Sequence, residues 1–289
     1  MTRARIAVLM TCFNRRALTL RCLQTLAQQP EFDAAGLFLV DDGSKDGTGD
    51  AVRAMLPEAN VIEGNGKLFW NGGMRLAWST ARGSGAPFDF YLWLNDDVEL
   101  TSSALAMLVA DADAIAPRGA PVIVAAATTE PVTGEITYGA HRTHSPSRPL
   151  RMTLVEPTGE PVAADTISGN IVLVSAAAEA RLGNMSPVFE HIYGDLDYGF
   201  RARQAGIPVA LASRPGGTCG ANAIAGTALD PALSRLTRLR LRLREERRVH
   251  ARDWRRFVRL HDGGVLGRAK HALSPYLRIL FDRPHGGRT

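Results

Sequence analysis

Residues able to do chemistry gather at three points along this chain. The first is Tyr91-Leu92-Trp93-Leu94-Asn95-Asp96-Asp97-Val98-Glu99-Leu100, where an apolar run stops at two adjacent aspartates. An apolar run of this length reads as a central strand covered on both faces, and open α/β sheets bind ligands at such strand ends. Adjacent like charges are costly unless a cation neutralises them, and oxygen ligands suit Mg²⁺ or Mn²⁺. The plainer alternative is a pair of solvated turn aspartates capping a helix at Ser102 or Ser103. The second point is Asp41-Asp42-Gly43-Ser44-Lys45-Asp46-Gly47-Thr48, whose carboxylates could accept hydrogen bonds from ribose hydroxyls or a base N–H. Asp46 or Thr48 is expected to cap the helix that follows. The third is Tyr193-Gly194-Asp195-Leu196-Asp197. Asp197 lies four residues before Arg201 and suits a helix salt bridge, which leaves Asp195 as the candidate general base.

The elements that must position these groups alternate in type. Ile6 to Met10 predicts a buried strand, followed by a helix with Leu18, Cys22, Leu23 and Leu26 on one face. Strands are predicted at Leu37 to Val40 and at Val61 to Glu63, and again at Val122 to Ala127. Phe69 and Trp70 fall in a glycine-rich stretch read as a strand-to-helix loop. Thr128 to Asp165 reads as an irregular β insertion, with His141 and His144 in a solvated loop. Ile167 to Val174 predicts a strand interrupted by Gly169, a helix over Ala176 to Leu182 ends at Gly183, and Ile207 to Ala212 closes the pattern. The turn after the first strand, Thr11-Cys12-Phe13-Asn14-Arg15, has no glycine, which argues against a dinucleotide-binding fingerprint.

Composition bounds the rest. The chain has 289 residues, 45% hydrophobic and 22% charged, which suits one large α/β domain with an appendage. No apolar stretch approaches the roughly 20 residues that span a bilayer, and the start of the chain reads as a strand rather than a signal peptide. Cys12, Cys22 and Cys219 are scattered, which argues for a reducing cytoplasm over a disulfide framework or zinc site. From Gly226 onward there are 16 Lys and Arg against 6 Asp and Glu, whereas the preceding residues carry 18 against 23. That asymmetry does not describe a uniformly basic nucleic-acid-binding domain. In the tail, Leu233, Leu236, Leu239, Leu241 and Leu243 interleave with arginines, and Val265 to Phe281 adds a second apolar segment around Pro275. Mixed leucine spacing favours a helical cap over a clean amphipathic stripe. A peripheral contact with an anionic membrane is the alternative.

Five motifs in order give the chain a resemblance. Thr11-Cys12-Phe13-Asn14-Arg15, Val40-Asp41-Asp42-Gly43-Ser44, Leu94-Asn95-Asp96-Asp97, Ser168-Gly169-Asn170 and Gly194-Asp195-Leu196-Asp197-Tyr198 with Arg201 together resemble a family-2 glycosyltransferase. The resemblance covers about residues 5 to 225 and implies the GT-A fold, a mixed central sheet flanked by helices. It implies a catalytic domain over 1–225 and a basic helical extension over 226–289. It further implies transfer of a sugar from a nucleotide-diphosphate sugar to a saccharide or lipid-linked acceptor, with inversion and a Mg or Mn cofactor. By the same resemblance, Thr11, Phe13 and Asp42 line the base and ribose, Asp96 meets the ribose or donor sugar, and Asp97 holds the metal. Asn14, Gly169 and Asn170 join the nucleotide-sugar site, and Asp195 is the base. Lys67 to Arg75 resembles a bacterial subgroup associated with cell-surface polysaccharide synthesis, which adds Arg75 near the donor. Two departures stand out: Asn95 replaces a first acid, and Ser213 to Asn222 holds no His to complete the metal site, leaving water, Thr218, Cys219 or Asn222. A sugar nucleotidyltransferase and a non-catalytic scaffold or nucleic-acid binder are the alternatives; no nucleic acid is expected as a partner.

Overall fold

The structure is a computed structural model that describes residues 3–144, 150–221, 224–245, 249–262 and 264–281. In chain order the first elements are β1 (Ile6–Cys12), α1 (Arg16–Ala27), β2 (Leu37–Asp41), α2 (Thr48–Met55), β3 (Asn60–Glu63), α3 (Phe69–Gly83) and β4 (Phe90–Leu94). Next come β5 (Glu99–Leu100), α4 (Ala104–Ile115), β6 (Ile123–Ala125), β7 (Thr128–Thr129), β8 (Ile136–Tyr138), β9 (Ala140–Thr143), β10 (Met152–Leu154) and β11 (Val162–Ala163). The last are β12 (Thr166–Ile167), β13 (Ile171–Ser175), α5 (Ala176–Leu182), α6 (Gly194–Gln204), β14 (Val209–Leu211), β15 (Gly217–Thr218), α7 (Arg235–Glu245), α8 (Val249–His261) and α9 (Val265–Leu280).

The main sheet has eight strands in the order β11-β14-β6-β13-β4-β1-β2-β3. Strands β1 to β4 pair in parallel where they meet, whereas β13 runs antiparallel to both β4 and β6. Successive side chains of a strand point to opposite faces, and β1 divides its burial accordingly. Ile6, Val8, Met10 and Cys12 pack with Cys22, Leu23 and Leu26 of α1 and with Leu105 and Leu108 of α4. Ala7 and Leu9 face the other way, toward Met74, Ala77, Trp78 and Ala81 of α3 and Tyr198 of α6. On that side the Trp78 ring lies 5.5 Å from those of Tyr91, Trp93 and Tyr198.

Several local expectations shift. Ser103 precedes α4 without making a side-chain cap bond, and β5 separates it from Asp96 and Asp97. The aspartates are therefore not a helix cap; Asp96 is only 6% exposed. Phe69 and Trp70 form the first turn of α3 rather than a loop, Phe69 with a left-handed φ of 54°. Asp46 does hold the start of α2, accepting the Thr48 N–H at 3.1 Å. The strand expected over Ile167 to Val174 splits at Ser168-Gly169-Asn170 into β12 and β13, which belong to different sheets. The β insertion contributes β7 to β10 to two small sheets, β10-β9-β12 and β5-β15-β7-β8, adds β11 to the edge of the main sheet, and places His141 half-buried in β9 rather than in a solvated loop.

The chain divides into two compact units, one of Met1–Thr143 with Met152–Ala221, the other of His144–Arg151 with Asn222–Thr289. Within the second, α9 contacts α7 and α8, Phe257 and Ile279 are buried, and His271 Nε2 lies 2.9 Å from Asp262 Oδ2. Replacing the fully buried Trp78 by Ala should lower stability by about 3–5 kcal/mol in urea unfolding. A loss under about 1 kcal/mol would mean that the aromatic cluster is not a principal contributor to the core.

Candidate active site

Register decides which loops meet. Cys12 pairs with Asp41 across β1 and β2, and Ile171 pairs with Leu94 across β13 and β4. Because β13 is antiparallel, its first residues lie level with the last residues of β4. Residues 11–15, 42–44, 95–97 and 168–170 therefore share one edge of the sheet, beyond the carboxyl ends of the parallel strands.

At that edge Arg15 reaches across to the acidic pair. Its guanidinium donates to Asp96 Oδ1 at 3.2 Å and to Asp97 Oδ2 at 2.9 Å. Asp96 is buried and also accepts from the Thr19 hydroxyl at 3.4 Å. Burial pushes the Asp96 carboxyl up to about 6; the Arg15 cation opposes this and Asp97 adds to it. Asp97 is more open, with 29% of its side chain exposed, and Cys219 Sγ lies 3.6 Å from its Oδ1. Burial, with the Asp97 carboxylate beside it, pushes the Cys219 thiol up to about 12, so it stays protonated.

A second set of contacts runs from Asp42 to Asp195. Asp42 is buried; its Oδ1 accepts the Gly66 N–H at 2.8 Å, and its Oδ2 accepts those of Leu68 at 2.9 Å and Phe69 at 3.1 Å. The carboxylate clamps the loop before α3, a task its place in the sequence did not reveal. The next residue, Trp70, donates from Nε1 to Asn95 Oδ1 at 2.7 Å. Its ring lies against Gly169, where a Cβ would fall 2.5 Å from Cη2. Glycine is needed there for close approach rather than for backbone angle. The Gly169 N–H then donates to Asp195 Oδ2 at 2.8 Å, while the Leu196 N–H donates to Oδ1 at 2.8 Å. Burial pushes the Asp195 carboxyl up from its ordinary value, and these two N–H groups pull against that rise.

Among the described residues, the non-glycine residues with left-handed φ are Asn14, Phe69 and Tyr193. All three belong to loops or first turns at this site, where backbone strain tends to collect. Asn14 ties two loops together, its N–H donating to Ser44 Oγ and its Oδ1 accepting from Lys45 N. Phe13 stands 52% exposed at the rim, and Thr11 is buried. Asn170 is buried, with Nδ2 3.8 Å from Cys219 Sγ, and its carbonyl accepts the Asn95 N–H. Arg75 is different. Its carbonyl accepts from Asn184, and among the described residues no hydrogen bond or ion pair joins it to Asp96, Asp97 or Asp195. Asp197 pairs with Arg201 at 2.9 Å, as the helical spacing predicts. Sequence reasoning gave Arg15 no role of its own, placed Trp70 in a loop, and offered Cys219 only as one of several candidates to complete a metal site. Their partners lie 81, 25 and 122 residues away, and only the order of motifs hinted at Arg15.

The resemblance implies a divalent cation. Among the described residues no group of three or more His, Cys, Asp or Glu could hold a metal ion. Mg²⁺ commonly takes one or two carboxylates and completes its shell with substrate phosphates and water. The partly open Asp97 carboxylate fits that requirement, whereas the soft sulfur of Cys219 is a poor match for a hard cation. Thr218 belongs to β15, and Asn222 lies outside the described residues.

The sheet carries acids at the carboxyl ends of its strands, where open α/β folds bind ligands, and the sequence profile of glycosyl transferase family 2 matches residues 7–170. The chain belongs to this family and is a glycosyltransferase of GT-A fold. A mannosyltransferase of Pyrobaculum calidifontis, solved with GDP-Man and Mn²⁺, is 16% identical with a TM-score of 0.54, covering 100% of this chain and 77% of its own. S. aureus TarS 1–349 in complex with UDP-GlcNAc is 13% identical with a TM-score of 0.55, covering 98% and 74%. GalNAc-T7 with UDP, GalNAc and Mn²⁺ is 14% identical with a TM-score of 0.56; 72% of this chain aligns, spanning 42% of that longer protein. No curated protein sequence matches. Among the described residues no helix is long and apolar enough to cross a membrane.

Gly169→Ala should destabilise the protein by about 1–3 kcal/mol by displacing the Trp70 indole, and should cost much less in a Trp70→Ala background. Additive losses in the double-mutant cycle would show that the two positions are not coupled.

Proposed function

We propose that this enzyme moves a sugar from a nucleotide-diphosphate donor to an acceptor hydroxyl with inversion, assisted by Mg²⁺ or Mn²⁺. The observation that carries the reading is a raised-pKa carboxylate, Asp195, joined through Gly169 and Trp70 to the strand end that bears Asp96 and Asp97. In this reading residues 1–225 are the catalytic domain and 226–289 a basic extension. Thr11, Phe13 and Asn14 receive the base and ribose, with Asp42 shaping their far wall through the loop it clamps. Asp96 orients the ribose or donor sugar. Gly169 and Asn170 line the donor side, with Arg75 near the donor.

The acceptor oxygen attacks the anomeric carbon as Asp195 takes its proton, and the bond from that carbon to the diphosphate oxygen breaks. A single displacement of this kind inverts the centre. The leaving diphosphate carries negative charge, and Arg15 holds a fixed positive charge at the acidic pair. Asp97 would hold a divalent ion, which when bound would supply Lewis-acid neutralisation of the leaving diphosphate. The resemblance of Lys67 to Arg75 to the bacterial subgroup supports cell-surface polysaccharide synthesis, with a saccharide or lipid-linked acceptor. Buried, unpaired Cys12, Cys22 and Cys219 suit the cytoplasm. Family membership leaves the nucleotidyltransferase and non-catalytic readings without support.

Asp195→Asn should keep donor binding yet lose transfer by about 10²–10⁴-fold. Undiminished transfer would place the base elsewhere. Because the base works deprotonated and burial raises its pKa, kcat should rise with pH along an acid limb above the ordinary aspartate value near ~4. An acid limb at or below that value would contradict the assignment. A thermal-shift panel of UDP-, GDP- and dTDP-sugars should give a base-specific rise in Tm that needs Mn²⁺; no rise with any of them would count against the donor class.

A further inference from the structure

Helix α9 buries one side within its own unit and leaves the other side bare. Ile279 is 3% exposed and His271 is tied to Asp262, which fixes the inward face. Leu266, Leu273, Leu277 and Leu280 are 86%, 58%, 47% and 47% exposed. Their spacing of seven, four and three residues confines them to an arc of about 60° on the helix. The result is a leucine strip about four turns long on the solvent side, continued by Phe281 at 69% exposure. Single exposed leucines are ordinary, but an aligned strip marks an interaction surface.

The charges identify the occupant. Helix α9 carries Arg268, Lys270 and Arg278 and has no Asp or Glu. The residues from Gly226 onward hold 16 Lys and Arg against 6 Asp and Glu. A second copy of this helix would bring like charges together. An anionic bilayer surface answers both features, accepting leucines among its acyl chains and attracting the cations at its headgroups. Lys270 beside the strip can bury its stem and keep its ammonium at the headgroup level.

We propose that α9 is an in-plane membrane-docking helix that seats the protein on anionic lipid through Leu266, Leu273, Leu277 and Leu280. The inference does not depend on the sugar-transfer reading, because lipid binding is read without any donor.

Its test uses the full chain with vesicles of phosphatidylcholine, with and without phosphatidylglycerol. The protein should sediment with the anionic vesicles and only weakly with the neutral ones. Leu273→Glu/Leu277→Glu should weaken partitioning by at least about tenfold, with an unchanged circular dichroism spectrum and Tm, since both positions face solvent. Lys270→Gln/Arg278→Gln should lower binding and flatten its salt dependence. The proposal is overturned if the wild type ignores anionic vesicles, or if the leucine variant binds them equally well. It is also overturned if light scattering finds a dimer that the leucine variant converts to monomer while vesicle binding is absent.

Discussion

Two neighbouring carboxylates at the end of a buried strand repel each other, and at an effective dielectric of roughly 20 a pair about 4 Å apart costs on the order of 4 kcal/mol. The protein meets this constraint with Arg15, whose guanidinium bridges Asp96 and Asp97. That solution requires the turn after β1 to lie over the end of β4. The parallel pairing of β1 with β4 supplies this, with Ile6 opposite Phe90 and Leu9 opposite Trp93. The left-handed Asn14 then aims the chain into α1, with Arg15 preceding its first turn.

One indole links the same strand end to the start of α6, where Asp195 lies. Trp70 touches Asn95 through a hydrogen bond and Gly169 through its ring edge, and Gly169 in turn holds Asp195. A neutral Asn95 suits this arrangement. Its amide oxygen accepts the indole N–H without placing a third negative charge beside Asp96 and Asp97. Replacement of an acid by Asn here therefore has a structural meaning as well as an electrostatic one. The loop carrying Trp70 is fixed from behind by three backbone N–H bonds to Asp42, so the acid after β2, an indole and Asp195 form one connected support.

The second unit follows different physics. Its helices close over Phe257 and Ile279, and the basic charge is concentrated here while the residues before Gly226 are mildly acidic. Leucines spaced irregularly along Leu233 to Leu243 gave no single stripe, but those of α9 do, because Pro275 and Ile279 occupy the opposite side. A face that packing leaves uncovered is where an interaction surface can exist.

The parallel strands β1 to β4, the acids at their ends, the i,i+4 pairing of Asp197 with Arg201 and the order of the motifs were legible in the sequence by itself. Each depends on local periodicity or on residues close along the chain. The sequence misread Phe69 and Trp70 as loop, His141 as solvated and the two aspartates as a potential cap, because nearby glycines and serines imitate those environments. Only the tertiary structure brought Arg15 to Asp96, Trp70 to Asn95 and Gly169, and Cys219 to Asp97. These contacts depend on strand register and on the reversal of β13 against β4, neither of which has a one-dimensional signature. The exposed face of α9 was likewise decided by packing: composition names the leucines, but their neighbours determine which of them water can reach.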